Sequence, residues 1–201
     1  LITVLFIDDF QQVRPDDIGT VEEIRRVAKK FGAQVQEIEL DAQYRCAGAE
    51  GFVNWLDTVL QIRETGNADG WDRKDFDFRI VSTPNELRRL IETKQSEGHS
   101  ARMLAGYAWP WTAEGKGNPN GEISDVVIAE HRFKMPWNSR QATTTWAIDA
   151  SGIDQIGCIH TSQGLEFDYV GVIIGLDLQF DPEKNTFRSS WEDYKDATGR
   201  R

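Results

Sequence analysis

Apolar residues in this chain fall into short runs set off by polar stretches, and the spacing inside each run switches between the helical and the extended period. Val21, Ile24, Val27, Ala28 and Phe31 recur at helical spacing. Thr20 precedes them as a cap with Glu23 three residues on, and Gly32 closes the run. Residues 48–62 place Phe52, Trp55, Leu56, Val59 and Leu60 at the same period. Thr83-Pro84-Asn85-Glu86 opens a third helix that reaches Glu97, with Thr83 as cap and Pro84 in the first position. Extended runs cover residues 1–7, 35–40, 76–81, 102–105, 126–133, 144–148, 156–160 and 169–174, while 67–75 and 109–121 read as loops. Strands alternating with helices predict an α/β fold: a mostly parallel sheet flanked by helices. Residues 1–7 begin inside an apolar run without a cap, and the last residues trail off in polar side chains. The chain therefore reads as a piece of a longer polypeptide.

Composition narrows the functional classes. A net charge of −10 over 201 residues argues against a free-standing, non-specific nucleic-acid binder. A local positive groove on an otherwise acidic surface stays compatible with it. No apolar run approaches the roughly 18 residues of a membrane helix, so no membrane partner is expected and the reading is cytoplasmic. Cys46 and Cys158 are too few for a disulfide scaffold or a four-cysteine zinc site. His99 and His131 have no partners at metal-ligand spacing, so no metal site is expected. Seven tryptophans are many for this length. Trp109 and Trp111 around Pro110 suit stacking platforms for unpaired bases, though such a turn more often caps the core under a loop.

Candidate chemistry collects in three places. The run His160-Thr161-Ser162-Gln163-Gly164-Leu165-Glu166-Phe167-Asp168 lies between two apolar strands. Loops at the carboxyl ends of such strands are where open α/β sheets hold ligands, and Gly164 permits a tight backbone approach. Asp8-Asp9-Phe10-Gln11 follows the first apolar run. As a Walker B motif, Asp8 would hold magnesium and Asp9 orient water. A plain acidic turn is the bland alternative. Arg45, after Gln43-Tyr44, offers a rigid guanidinium fork of the kind that stabilises a transferring phosphoryl group. No G-x-x-x-x-G-K-[ST] loop occurs anywhere in the sequence, so the chain by itself is not expected to hydrolyse ATP.

The run from His160 to Asp168 resembles motif V of superfamily 1 helicases. Asp8 and Gln11 are similar to motif III, with Ile7 where that motif has glycine, and Gln43-Tyr44-Arg45 follows in the order of motif IV. Order and spacing favour motif III over Walker B for Asp8 and Asp9. With Tyr107-Ala-Trp-Pro-Trp111 and Met135-Pro-Trp-Asn138, the chain resembles the bacterial helicase-like P-loop ATPases related to the Schlafen helicase-type domain. That resemblance implies a RecA-like second motor domain over residues 41–201, preceded by the end of the first motor domain over residues 1–40. It implies ATP and Mg2+ as cofactors of the longer parent, and DNA or RNA as partner. Gln11 and Arg45 would face the γ-phosphate, and Glu166 the ribose. His160, Thr161 and Gln163 would face the nucleic-acid backbone or relay its position. Many helicases carry lysine where Gln163 stands, so translocation or switching fits the pattern as well as strand separation. A decayed helicase fold serving as a protein–protein scaffold is the reading from another class.

Overall fold

The computed structural model describes residues 2–7, 19–39, 49–67, 70–74, 76–111, 123–138 and 145–196. Three helices precede the sheet: α1 (Val21–Lys30), α2 (Glu50–Val59) and α3 (Pro84–Ser96). Local chemistry starts two of them where the sequence predicts. Thr20 Oγ1 accepts from the Glu23 N–H, and Thr83 Oγ1 accepts from the Glu86 N–H, so each hydroxyl satisfies a backbone donor that the first turn leaves free. Phe52 of α2 gathers Trp71 and Phe76 at ring distances of 4.8 and 4.2 Å, and Trp55 and Phe78 join the same aromatic cluster. The Trp71 indole N–H donates to the Phe76 carbonyl.

The central sheet is parallel, three strands in the order β4 (Ile156–Gly157), β1 (Ala101–Ala105), β5 (Tyr169–Ile173). Its register pairs Met103 with Ile156 on one side and with Gly171 on the other. Parallel strands normally need cover on both faces. Helix α3 covers one: a Cβ on Gly171 would lie 2.9 Å from Ile91 Cγ1 and 3.0 Å from Leu87 Cγ, so glycine in the middle of β5 lets the helix approach. On the opposite face Trp146, 1% exposed, fills the space above Gly157 and Leu104. Along β5 that same face, carrying Val170 and Val172, is open.

Two hairpins accompany the sheet. β2 (Val126–Ile128) and β3 (Phe133–Met135) pair antiparallel around a 3-10 turn at Ala129–His131, and Val126, Phe133 and Met135 enter the core. The segment leaving β3 then lies beside β4: the Asn138 N–H donates to the Ile156 carbonyl, and the Ile156 N–H to the Pro136 carbonyl. The second hairpin, β6 (Leu178–Asp181) with β7 (Thr186–Ser189), packs Phe180 against Phe187 at 5.1 Å.

The architecture is α/β with a helix-flanked parallel sheet, compatible with part of a RecA-like domain. Several predicted strands are absent. Residues 2–7 form no ladder and expose Ile2 and Phe6, because an apolar run states a need for burial without naming a partner. Residues 35–39 are equally unpaired, and the run predicted over 76–81 is unpaired, with Phe76 and Phe78 joining the aromatic cluster. Residues 145–148 form a turn rather than a strand, with Trp146 as a buried plug. The strand predicted over 126–133 is a hairpin arm and a 3-10 turn, and that over 156–160 stops at Gly157 to become helix α4 (Ile159–Ser162).

Candidate functional site

Helix α4 and the loop after it carry the motif V residues. The Thr161 and Ser162 N–H groups both donate to the Cys158 carbonyl, which folds the chain sharply at the carboxyl end of β4. His160 and Thr161 sit on this turn, with the His160 ring 5.6 Å from the buried ring of Tyr107. Burial, and secondarily a hydrogen bond with Cys158, pushes the Tyr107 phenol far above its ordinary range, so it stands beside His160 as a neutral hydroxyl. Thr161 is tied inward: Asn138 Nδ2 donates to its Oγ1 at 2.9 Å, and Cys158 Sγ lies 3.3 Å from the same oxygen.

Beyond α4 the loop leaves the carboxyl end. Gly164 adopts a φ of +79°, the left-handed region that glycine enters without strain. A Cβ there would meet nothing within 4 Å, so the residue is needed for its backbone angle and the surrounding space is open. Gln163, Gly164, Leu165 and Glu166 are all exposed. The loop then crosses toward the start of β5, where Asp168 Oδ2 accepts from both the N–H and the hydroxyl of Ser100 at 2.8 and 2.9 Å. The Ser100 hydroxyl in turn accepts from the Asp168 N–H. These bonds, the backbone one first, hold the Asp168 carboxyl below its ordinary range. Sequence reasoning placed the whole run in one loop at the carboxyl ends of the strands. The structure divides it, with His160 and Thr161 at the carboxyl end of β4 and Asp168 at the amino end of β5.

Trp109 is half-buried, and its indole N–H donates to the Val127 carbonyl at 3.1 Å. Trp111 stacks on the buried Trp137, ring centroids 5.7 Å apart and planes 16° apart. Both cap the core beyond β1. Asp8, Asp9, Gln11, Gln43, Tyr44 and Arg45 lie outside the described residues. Among the described residues, no three His, Cys, Asp or Glu side chains gather as a metal site, and no helix is long and apolar enough to cross a membrane. Two anchors escaped sequence reasoning as site residues. Asn138 and Ser100 pin the two ends of the motif V segment, and both lie far from it in the chain. The signal for Asn138 was faint: a polar residue closing a run of buried ones, Met135 to Trp137.

A helicase-type segment set on a parallel α/β sheet agrees with the comparison of sequences. The family model described as Schlafen group 3, DNA/RNA helicase domain, matches residues 1–201. The chain belongs to this Schlafen helicase-domain family. A similar protein is the uncharacterised protein YPL245W of Saccharomyces cerevisiae, 28% identical over 173 residues, a stretch covering 80% of this chain and 37% of that protein. The chain thus spans little more than a third of its yeast relative's length. No solved structure matches it. Membership in the Schlafen group 3 family makes the chain helicase-like.

Proposed function

We propose that this chain is part of an ATP-driven motor acting on DNA or RNA, with residues 41–201 belonging to its second RecA-like domain and residues 1–40 to the end of the first. The observation that carries this reading is the folded motif V segment. Gln163, Gly164 and Glu166 stand exposed on a loop held at both ends, within a chain whose whole length matches a helicase-domain family.

Among the described residues, those that fit a nucleotide are Gly164, whose surroundings are open, and the exposed carboxylate of Glu166. In this reading Glu166 accepts a hydrogen bond from a ribose hydroxyl, and Gly164 lets the backbone come close. As motif III, Asp8 and Asp9 would lie at the nucleotide, Gln11 would sense the γ-phosphate, and the Arg45 fork would stabilise its charge. Hydrolysis of magnesium-bound ATP supplies the free energy for movement. His160 and Gln163 face the nucleic-acid backbone, with Thr161 behind them. Trp109 would offer the face of its ring for stacking, its N–H being already bonded to the Val127 carbonyl.

The test is the nucleic-acid-stimulated ATPase of the whole protein with Arg45→Ala and Glu166→Ala. Arg45→Ala lowers turnover strongly with little change in nucleotide affinity, and Glu166→Ala raises the KM for ATP. A folded whole protein that neither binds nor hydrolyses ATP ends this reading. The second reading, a protein–protein scaffold on a helicase fold, is favoured by the net charge of −10 and by the open apolar positions Val170, Val172 and Ile174.

A further inference from the structure

The first turn of α4 has no capping side chain of its own, since its N-cap residue, Cys158, makes no side-chain cap bond. A partner for the Cys158 backbone N–H does come from another part of the chain. Asn138 has no exposed surface and sits beside β4 after Trp137. Its backbone is fixed by the bond from its N–H to the Ile156 carbonyl at 2.8 Å. Its side chain spans the turn: Oδ1 accepts from the Cys158 N–H at 3.1 Å, and Nδ2 donates to Thr161 Oγ1 at 2.9 Å. A backbone N–H can only donate, so the Cys158 bond fixes which amide atom is oxygen and leaves the nitrogen facing Thr161.

The Thr161 hydroxyl is consequently occupied. One lone pair receives Asn138, and Cys158 Sγ lies 3.3 Å from the same oxygen, with either group able to donate. We infer that Asn138 is a positioning residue for motif V, with Thr161 as its internal tie, and that together they present His160 and Gln163 to the nucleic acid. The inference about presentation rests on the proposed nucleic-acid reading; the tie itself does not. Buried hydrogen bonds of this kind fix one geometry of a turn, and losing them leaves a bare backbone donor.

The experiment uses the whole protein with Asn138→Ala, Thr161→Val and their combination, and Thr161→Ser as the variant that keeps the hydroxyl. Amide exchange is followed at residues 158–165, with β1 as reference, alongside binding of a fluorescent single-stranded oligonucleotide of DNA and one of RNA. Thr161→Val is expected to weaken oligonucleotide binding about tenfold, the effect of losing one bond, and Asn138→Ala, which removes two, at least as much. Each should also speed exchange at 158–165 while β1 stays protected. The double variant should be no worse at binding than Asn138→Ala alone, and Thr161→Ser should behave as wild type. Thr161→Val keeps the test available if Asn138→Ala fails to fold. Multiplying effects in the double variant, or exchange rising equally in β1, overturns the inference. A wild-type protein that binds neither oligonucleotide overturns the presentation of His160 and Gln163 along with the proposed function. The exchange pattern then decides the tie alone.

Discussion

Arg102 is the side chain whose removal tests the packing argument most directly. It is 2% exposed, lies in β1, and has no carboxylate in ion-pair contact among the described residues. Its guanidinium instead donates to the carbonyls of Trp146, Asp149 and Ala101 and to Gln95 Oε1, at 3.3, 2.9, 2.8 and 2.6 Å. It also lies 5.9 Å from the Trp146 ring. Desolvation pulls its pKa below the ordinary arginine range, with the Asp149 charge opposing, yet arginine stays protonated throughout the working range. Arg102→Met removes all four bonds. Three acceptors outside the residue's own neighbour lose a donor, each at a cost of about 1–3 kcal/mol if left bare. Methionine gains something back, because it carries none of the penalty, several kcal/mol, of taking a charge out of water. The bonds outweigh that gain while the carbonyls cannot reach water, so the net loss is about 3 kcal/mol. For a domain of this size that is a fall in Tm of roughly 6–12 °C. Chemical denaturation followed by tryptophan fluorescence measures it, and amide exchange should quicken first over residues 145–154. A variant within about 0.5 kcal/mol of wild type, an ordinary surface-substitution effect, would refute the claim that this buried charge anchors the loop.

Gly157→Ala would put a Cβ 2.4 Å from Trp146 Cη2 and 2.8 Å from Leu104 Cδ2, so overpacking should cost about 1–3 kcal/mol in the same denaturation assay. Asp168 titrates lower in the folded state than in the unfolded chain, so its contribution is present above the unfolded pKa, about 3.9, and disappears as pH falls through the folded value. Asp168→Asn should therefore flatten the loss of stability on acidification, seen as a shallower dependence of Tm on pH below 4.5. Thr83→Ala removes the cap of α3 and should cost about 1 kcal/mol, read as a lower denaturation midpoint with unchanged slope.

What the sequence revealed depended on whether the controlling interactions were local. The caps at Thr20 and Thr83 bond to residues three positions away, so their pattern was visible in the chain. The cores of β1 and β5 were visible as apolar runs, and the motif V side chains as a contiguous group. Residues 2–7 and 35–39 had the same strand-like appearance without the partners that make a ladder, and nothing local distinguishes those cases. The β6–β7 hairpin was missed because its strands are short and its turn uses Asn185, at a φ of +51°, rather than a glycine. The motif V segment could be read, but its anchorage could not: Asn138 and Ser100 reach it only after the chain has folded back.

The motif V segment is fixed at both of its ends. Cys158 and Thr161 are held to Asn138 beside β4, Asp168 is held to Ser100 at the foot of β1, and the chain between them must cross from one edge strand to the other. A change in the number of residues between these anchors would have to be absorbed by the exposed stretch that carries Gln163 and Glu166. In an evolving lineage, insertions and deletions are therefore expected to accumulate in other loops. The number of residues separating His160 from Asp168 becomes an inherited dimension of the molecule, as constrained as the side chains it spaces.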